Sequence, residues 1–309
     1  MRKIITLFVA ALCCASMFAL DGALPGKFSV SATKQVVFSQ GNLQYVNGIW
    51  QFAADQCSRI GSEQTDEQRD LFAWGTGDAP NKIYGDPADY TTFVDWGVNA
   101  ISNGGNEANI WRTLTHDEWV YLFEGRENAK DKFGFGNVKG TTGLIILPDE
   151  WVQPTSANTF TPSLLVDGFA KNEYNVYYNE NGNNFEHNLY YGIGEQWDAM
   201  EAAGAVFLPL AGDNVGWPIN IASGNYWTST RCSEATSYMI FFNQQYFNIN
   251  ADNGCNCGYS VRLVVDAEKI STALDNTSAD AKATKRLVNG QLLIIHNGRT
   301  FNALGVEVK

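Results

Sequence analysis

The chain has little cysteine, little histidine and a shortage of basic charge. Of 309 residues, six are Cys and three are His, and 21 Lys and Arg stand against 33 Asp and Glu for a formal net charge of -12. Phosphate recognition needs a basic face, so this balance excludes nucleic acid as a partner. No basic amphipathic helix is present, which excludes docking on an anionic membrane surface. Beyond the first residues no apolar run is long enough to span a bilayer, so membrane insertion is not expected. The G-x-S-x-G and H-E-x-x-H patterns of hydrolases are missing. His116 and His187 are the only mid-chain histidines, too few for a zinc site with the cysteines placed as they are. There is no tandem repeat.

What the chain does have begins with an export signal. Arg2 and Lys3 precede the apolar run Ile4 to Phe18, and Ala19 is a reasonable cleavage point, so 1–19 reads as a signal peptide. The residues ahead of Cys13 and Cys14 fit a lipoprotein cleavage site poorly. Export permits disulfides. Of the remaining cysteines (Cys57, Cys232, Cys255 and Cys257), Cys232 with Cys255 or Cys257 is the natural pair, because they flank one stretch. Free thiols are the alternative reading, since C-x-C spacing makes a poor disulfide.

Along the chain the pattern is α+β: short strands, two main helices and long loops. Lys27 to Asn47 alternates apolar and polar residues around Gly41-Asn42 and reads as a hairpin or meander. Thr115 followed by Glu118 forms a capping box that opens a helix burying Trp119, Leu122 and Phe123. Leu144 to Leu147 reads as a buried strand. Glu150 to Gly192, rich in Asn and Tyr, reads as a loop insertion. Glu195 to Ala203 is a second, short helix with Trp197 and Met200 inward and Gly204 as its C-cap. Trp96, Trp111, Trp119 and Trp227 are expected in the core. A body over 20–266 is followed by a small-residue linker over 267–285. The stretch 286–309 is a small β unit with turns at Asn289-Gly290 and Asn297-Gly298.

The most informative stretch is Gly224 to Val264, GNYWTSTRCSEATSYMIFFNQQYFNINADNGCNCGYSVRLV. Two framework-like ends flank a middle with no charge logic and no catalytic motif, which points to a binding face. The candidate contacts are Arg231, Cys232, Ser233, Phe241, Asn243, Tyr246, Asn248, Asn250, Asp252, Asn253, Cys255, Asn256 and Cys257. Tyr246 and Phe247 carry the aromatic surface that favours recognition. Alternation predicts Tyr238, Ile240 and Phe242 toward the core, with Met239, Phe241 and Asn243 toward the ligand side. Arg262 is expected as a buried arginine paired with a carboxylate such as Glu118.

Three segments carry a family resemblance. Trp111 to Trp119, WRTLTHDEW, is similar to the W-R-L-P-T-x-x-E-W segment of the formylglycine-generating-enzyme branch of the C-type-lectin-like fold. The same segment resembles the major paralogous domains of Gram-negative anaerobes. Gly224 to Thr230 resembles their G-x-Y-W-S-S-T, and Gly258 to Val264 their closing G-x-S-V-R-L-V. Thr113-Leu114 departs from the enzyme branch's Leu-Pro. The resemblance covers roughly Ala23 to Asp266 and implies a C-type-lectin-like fold. It also resembles the variable proteins of diversity-generating retroelements, in which Asn codons between two such ends are randomised. Cys232, Ser233, Phe241, Asn243, Tyr246, Asn248, Asp252, Cys255 and Cys257 are reachable from an Asn codon, whereas Glu234, Met239, Gln244 and Gln245 are not. The C-terminal strands resemble short type IX-like sorting tails, implying contact with secretion machinery and a place outside the cell or on the outer-membrane surface.

Other chemistry finds weaker footing. Calcium-dependent sugar binding needs a fixed oxygen cluster, and Gln153-Pro154-Thr155 lacks the acid. Asp86, Asp89 and Asp95 read as solvated loop acids before calcium ligands. A copper site at Cys255 and Cys257 would parallel the formylglycine-generating enzymes, but NGCNCGYS does not match their motif. His116 is expected to be exposed at the helix start and His187 on the surface, so neither is placed as a base. The sequence therefore reads as a non-enzymatic, exported recognition protein for a protein or glycan ligand, with no metal or cofactor. A formylglycine-generating-like oxidase and a structural surface component are the alternatives.

Overall fold

The computed structural model describes residues 20–153, 169–171, 177–179, 196–216, 219, 221–243, 246–270, 284–288, 291–296, 299–302 and 308. The signal segment, His187, Gln244, Gln245, residues 271–283 and both C-terminal Asn-Gly pairs lie outside them.

The described chain is a mixed α+β structure, mostly sheet with few helices. The strands, in chain order, open with β1 (Phe28–Ser29), β2 (Gln35–Phe38), β3 (Leu43–Val46), β4 (Ile49–Phe52), β5 (Gln68–Arg69) and β6 (Arg112–Thr113). Helix α1 (His116–Val120) precedes β7 (Phe133–Val138), β8 (Thr141–Ile146), β9 (Phe169–Lys171) and β10 (Tyr177–Asn179). Helix α2 (Trp197–Ala202) precedes β11 (Val206–Pro209), β12 (Ser223–Arg231), β13 (Thr236–Asn243), β14 (Tyr246–Gly254) and β15 (Leu263–Asp266). The last three are β16 (Thr284–Val288), β17 (Gln291–His296) and β18 (Arg299–Asn302). They form an antiparallel meander of their own.

Helix α1 starts where its cap chemistry dictates. The Thr115 hydroxyl accepts from Glu118 N–H while the Glu118 carboxylate accepts from Thr115 N–H, a closed capping box. The helix widens into a π-helical turn over Tyr121–Gly125, which still buries Leu122 and Phe123. Arg112 forks onto Glu118 at 2.7 and 2.8 Å and donates to Asp266 at 2.8 Å. The start of α1 is thereby tied to β15, in the sheet ordered β1-β2-β15-β6.

The sheet that matters for function is ordered β12-β13-β14-β10-β9, and it is packed on both sides. One cluster joins Trp119, Phe123, Tyr226, Ile240, Phe242, Phe247 and Ile249. The other joins Trp74, Trp96, Trp111, Trp227, Met239 and Tyr259. Each such aromatic removes enough apolar surface from water to contribute roughly 1.5–3 kcal/mol. The four tryptophans expected in the core are all buried there. Gly224 is required in β12 because any Cβ there would run into the Phe242 ring stacked over it.

Several local expectations change. Gly41-Asn42 closes no hairpin: β2 and β3 belong to different sheets. Gly41 is needed for close approach, since a Cβ would lie 2.7 Å from the Ala53 carbonyl. The hairpin turn is Asn47-Gly48, with φ of 51° and 85°, joining β3 to β4. Within the expected loop insertion, β9 and β10 pair with each other and β10 joins β14. Residues 267–270 are helical, with Ala267 buried and Ile270 against the second cluster, so the body runs past 266 into the expected linker.

Candidate functional site

The two framework segments meet inside the protein. Tyr226 and Ser260 form a parallel bridge, with Trp227 N–H donating to Ser260 O at 3.0 Å and Ser260 N–H to Asn225 O at 2.9 Å. The Trp227 indole donates to Phe72 O at 2.7 Å, and the Tyr226 hydroxyl to Pro209 O at 2.9 Å. Between these anchored segments run the β12–β13 and β13–β14 hairpins, with register shifts between Trp227 and Arg231 and between Met239 and Phe241. Such irregularities twist strands and re-aim side chains.

The thirteen sequence-predicted contacts divide into distinct environments. Cys232, Ser233, Tyr246, Asp252 and Asn253 are exposed. Asn243, Asn248, Asn250, Asn256 and Cys257 are half-buried, and most of the asparagines brace backbone. Asn243 Oδ1 accepts from Tyr246 N–H, Asn248 Oδ1 from Asn250 N–H, and Asn256 Nδ2 donates to Gly85 O. Asn253 Nδ2 donates to the Tyr259 hydroxyl at 2.6 Å. Local side-chain to backbone bonding of this kind is what holds turns without regular ladders.

Several expectations about this stretch are corrected. Phe247, expected beside Tyr246 on the binding surface, is fully buried in the first cluster, and Met239, expected on the ligand side, is buried in the second. Cys255 is fully buried, with its thiol 3.1 Å from the Ser237 hydroxyl, so it cannot meet a ligand. All four described cysteines are free thiols, so the expected pairing of Cys232 with Cys255 or Cys257 is not formed. Phe241 is not presented outward: it packs half-buried on the second cluster, because both faces of the sheet are covered. Tyr238 leaves the core set and stacks on His116 at 4.1 Å.

Arg231 acts mainly on its own turn. Its three side-chain nitrogens donate to the carbonyls of Ser233, Glu234 and Tyr90, and its guanidinium lies 5.5 Å from the Trp74 ring centre. This clamps the β12–β13 turn to the 74–90 segment. His116 is also more covered than expected. Its Nε2 meets Asn250 Oδ1 at 3.0 Å and its ring lies under Tyr238. Of the His116–Tyr238–Asn250 group, sequence reasoning named Asn250 alone and missed its two aromatic partners. Spacing gives no signal for it, since helix α1 and strands β13 and β14 meet only in the fold.

Three of the four described thiols are shifted away from the reactive thiolate form. Burial pushes the Cys255 and Cys257 thiols up, and burial with the nearby Asp55 carboxylate pushes Cys57 up to about 11. Among the described residues, no group of three or more His, Cys, Asp or Glu is arranged to hold a metal ion. Asp86 and Asp95 instead cap short 3-10 turns, accepting from Ala88 and Gly97 N–H.

A separate polar cleft of about 430 Å³ is lined by Ser29, Gln35, Tyr121, Arg126, Lys132 and Asp149, among others. Of its two carboxylates, Glu127 is exposed and Asp149 is already engaged, accepting from Ser29 N–H and hydroxyl, Gln35 and Arg126. This saturation marks a structural tie between β1 and the segment after α1.

Among the described residues no helix is long and apolar enough to cross a membrane. Comparison with known proteins finds no matching family model, no matching curated protein and no matching solved structure.

Proposed function

We propose that this chain is an exported recognition protein built on a C-type-lectin-like fold of the formylglycine-generating-enzyme and major-paralogous-domain type. It binds a protein or glycan ligand, without catalysis, through the surface over 231–257. The C-terminal β unit serves secretion or attachment at the cell surface. One observation carries this reading. The GNYWTST and GYSVRLV segments are bridged side by side in the interior, while Cys232, Ser233, Tyr246, Asp252 and Asn253 between them reach solvent. A rigid base under variable-looking side chains is the arrangement binding loops use. The raised thiols of Cys255 and Cys257 weigh against the oxidase alternative, which needs thiolates for copper.

The test is binding to glycan and protein arrays by the full chain and by the Ser233→Ala/Asp252→Ala variant. Saturable binding that the variant loses supports the reading. Binding that the variant keeps removes this face from it. Copper-dependent oxidation of a cysteine-containing peptide would replace recognition with the oxidase. At the DNA level, a nearby near-copy of the codons for 225–264, differing only at adenines beside a reverse transcriptase gene, would make the face a diversified one.

A further inference from the structure

We propose that the binding face extends past the hairpins onto a docking patch anchored by Tyr84, whose partner is a protein presenting an apolar pocket rimmed by Lys and Arg. This inference rests on the recognition reading above and names its partner class.

Tyr84 combines two features that rarely occur together. Its side chain is exposed, at 45%, and its backbone φ is +66°. For a bulky residue the left-handed region is costly, and such strain persists where surrounding contacts impose it, often at ligand-contacting sites. Here the imposing contacts come from the far end of the candidate face. Tyr84 N–H donates to Asn256 O at 3.1 Å, and Asn256 Nδ2 donates to Gly85 O at 2.8 Å. Ile83 packs beneath, against the second cluster, and fixes the loop from below. An aromatic held at one backbone angle on a pinned loop loses little freedom on binding, which suits a hot-spot anchor.

The surroundings select the partner. Val215, exposed at 38%, neighbours Gly216, where a Cβ would lie 3.9 Å from the Tyr84 ring. Tyr84 and Val215, the latter one residue from this contact, are the exposed apolar side chains here. The rim is acidic: Asp86 and Asp89 are exposed, and Asp213 lies two residues before Val215. The nearby cations are engaged. Lys82 sits over the Tyr90 ring at 4.3 Å and donates to Asp89 O, and the buried Arg69 pairs with Asp66. An apolar centre with an acidic rim complements an apolar pocket with a basic rim.

The probe is a random peptide library displayed on phage and panned on the full chain, with enriched peptides then titrated against variants. The expected peptides carry an apolar residue flanked by Lys or Arg. Tyr84→Gly is expected to weaken them at least about tenfold. Its thermal midpoint should hold or rise, because Gly adopts positive φ freely. Tyr84→Phe should retain binding. Failure to enrich any peptide, enrichment of acidic peptides, or equal affinity for Tyr84→Gly would overturn the proposal. So would a fall in the Tyr84→Gly midpoint, which would assign the side chain to packing. Peptides weakened by Asp252→Ala but untouched by Tyr84→Gly would leave the recognition reading standing and remove this patch alone.

Discussion

The guanidinium of Arg262 is answered by the side-chain oxygen of Gln56, at 2.5 Å and 206 residues away in the chain, with no carboxylate paired to it among the described residues. Asn42 Oδ1 and Phe207 O accept its other hydrogen bonds. Gln56 passes the interaction on, since its amide nitrogen donates to Glu201 at 2.8 Å while its oxygen also accepts from Phe207 N–H. A carboxylate such as Glu118 is the partner expected for Arg262, but Glu118 is held by Arg112. Arg262 is fully buried, and burial pulls it down to about 10. Removing its acceptor should therefore be severe. Gln56→Leu is expected to cost about 3–5 kcal/mol, the scale for stranding a buried charge. Adding Arg262→Met should recover part of that loss. Urea denaturation of the single and double variants checks both statements.

Acid should loosen the tie between α1 and β15. Burial alone would lift the Glu118 and Asp266 carboxyls, but hydrogen bonds and charge from Arg112, with Lys34 nearby, outweigh it and hold both below the usual range. Between the depressed folded value and the ordinary unfolded one, the unfolded chain binds more protons, so stability rises with pH. The contribution is complete above the ordinary carboxyl range and disappears as pH falls through the depressed values. Glu118→Gln should cost about 1–2 kcal/mol at neutral pH, through the cap and the lost fork. It should also flatten the acid limb of a stability profile taken from neutral pH downward.

The thiols should separate by exposure. Cys232 is exposed and Cys255 fully buried, with Cys57 and Cys257 between them. A thiol reagent is expected to modify Cys232 first and Cys255 only on unfolding, and peptide mapping of a short labelling time course reads this order directly. An unreduced sample in which Cys232 is joined to Cys255 or Cys257 would contradict the free-thiol arrangement.

Arg231 should matter to the hairpin more than to any ligand. Its fork spans the Ser233, Glu234 and Tyr90 carbonyls, a geometry an ammonium cannot reproduce. Arg231→Lys is expected to cost about 1 kcal/mol and to speed amide exchange at Thr236, at the end of the clamped turn, and at Cys255, whose N–H donates to Ala235 O in that turn. Unchanged exchange would return Arg231 to the set of free contact residues.

Much of the framework was legible because its signals are local. The Thr115–Glu118 capping box, the inward Trp197 and Met200 of α2 and the buried strand at Leu144 are each decided within a few residues. The candidate face was legible only in outline. Its boundaries follow from the GNYWTST and GYSVRLV segments, but the exposure of each residue between them depends on what covers the sheet. Alternation assigns one face to water, and here Trp74, Trp96 and Tyr259 cover that second face, so Phe241 and Met239 are packed instead of presented.

By itself the sequence determined the mixed α+β class, the capped start of α1 and the aromatic core residues. Those depend on composition, period and caps, which act over short spans of chain. The tertiary structure alone decided that Arg262 leans on Gln56, that Cys255 is interior, that His116 lies under Tyr238, and that Tyr84 is strained against Asn256. All but the Cys255 contact join segments more than a hundred residues apart, and Cys255 is enclosed by the second cluster. Side chains at such separations meet only once the sheets are packed, so no spacing in the chain records them.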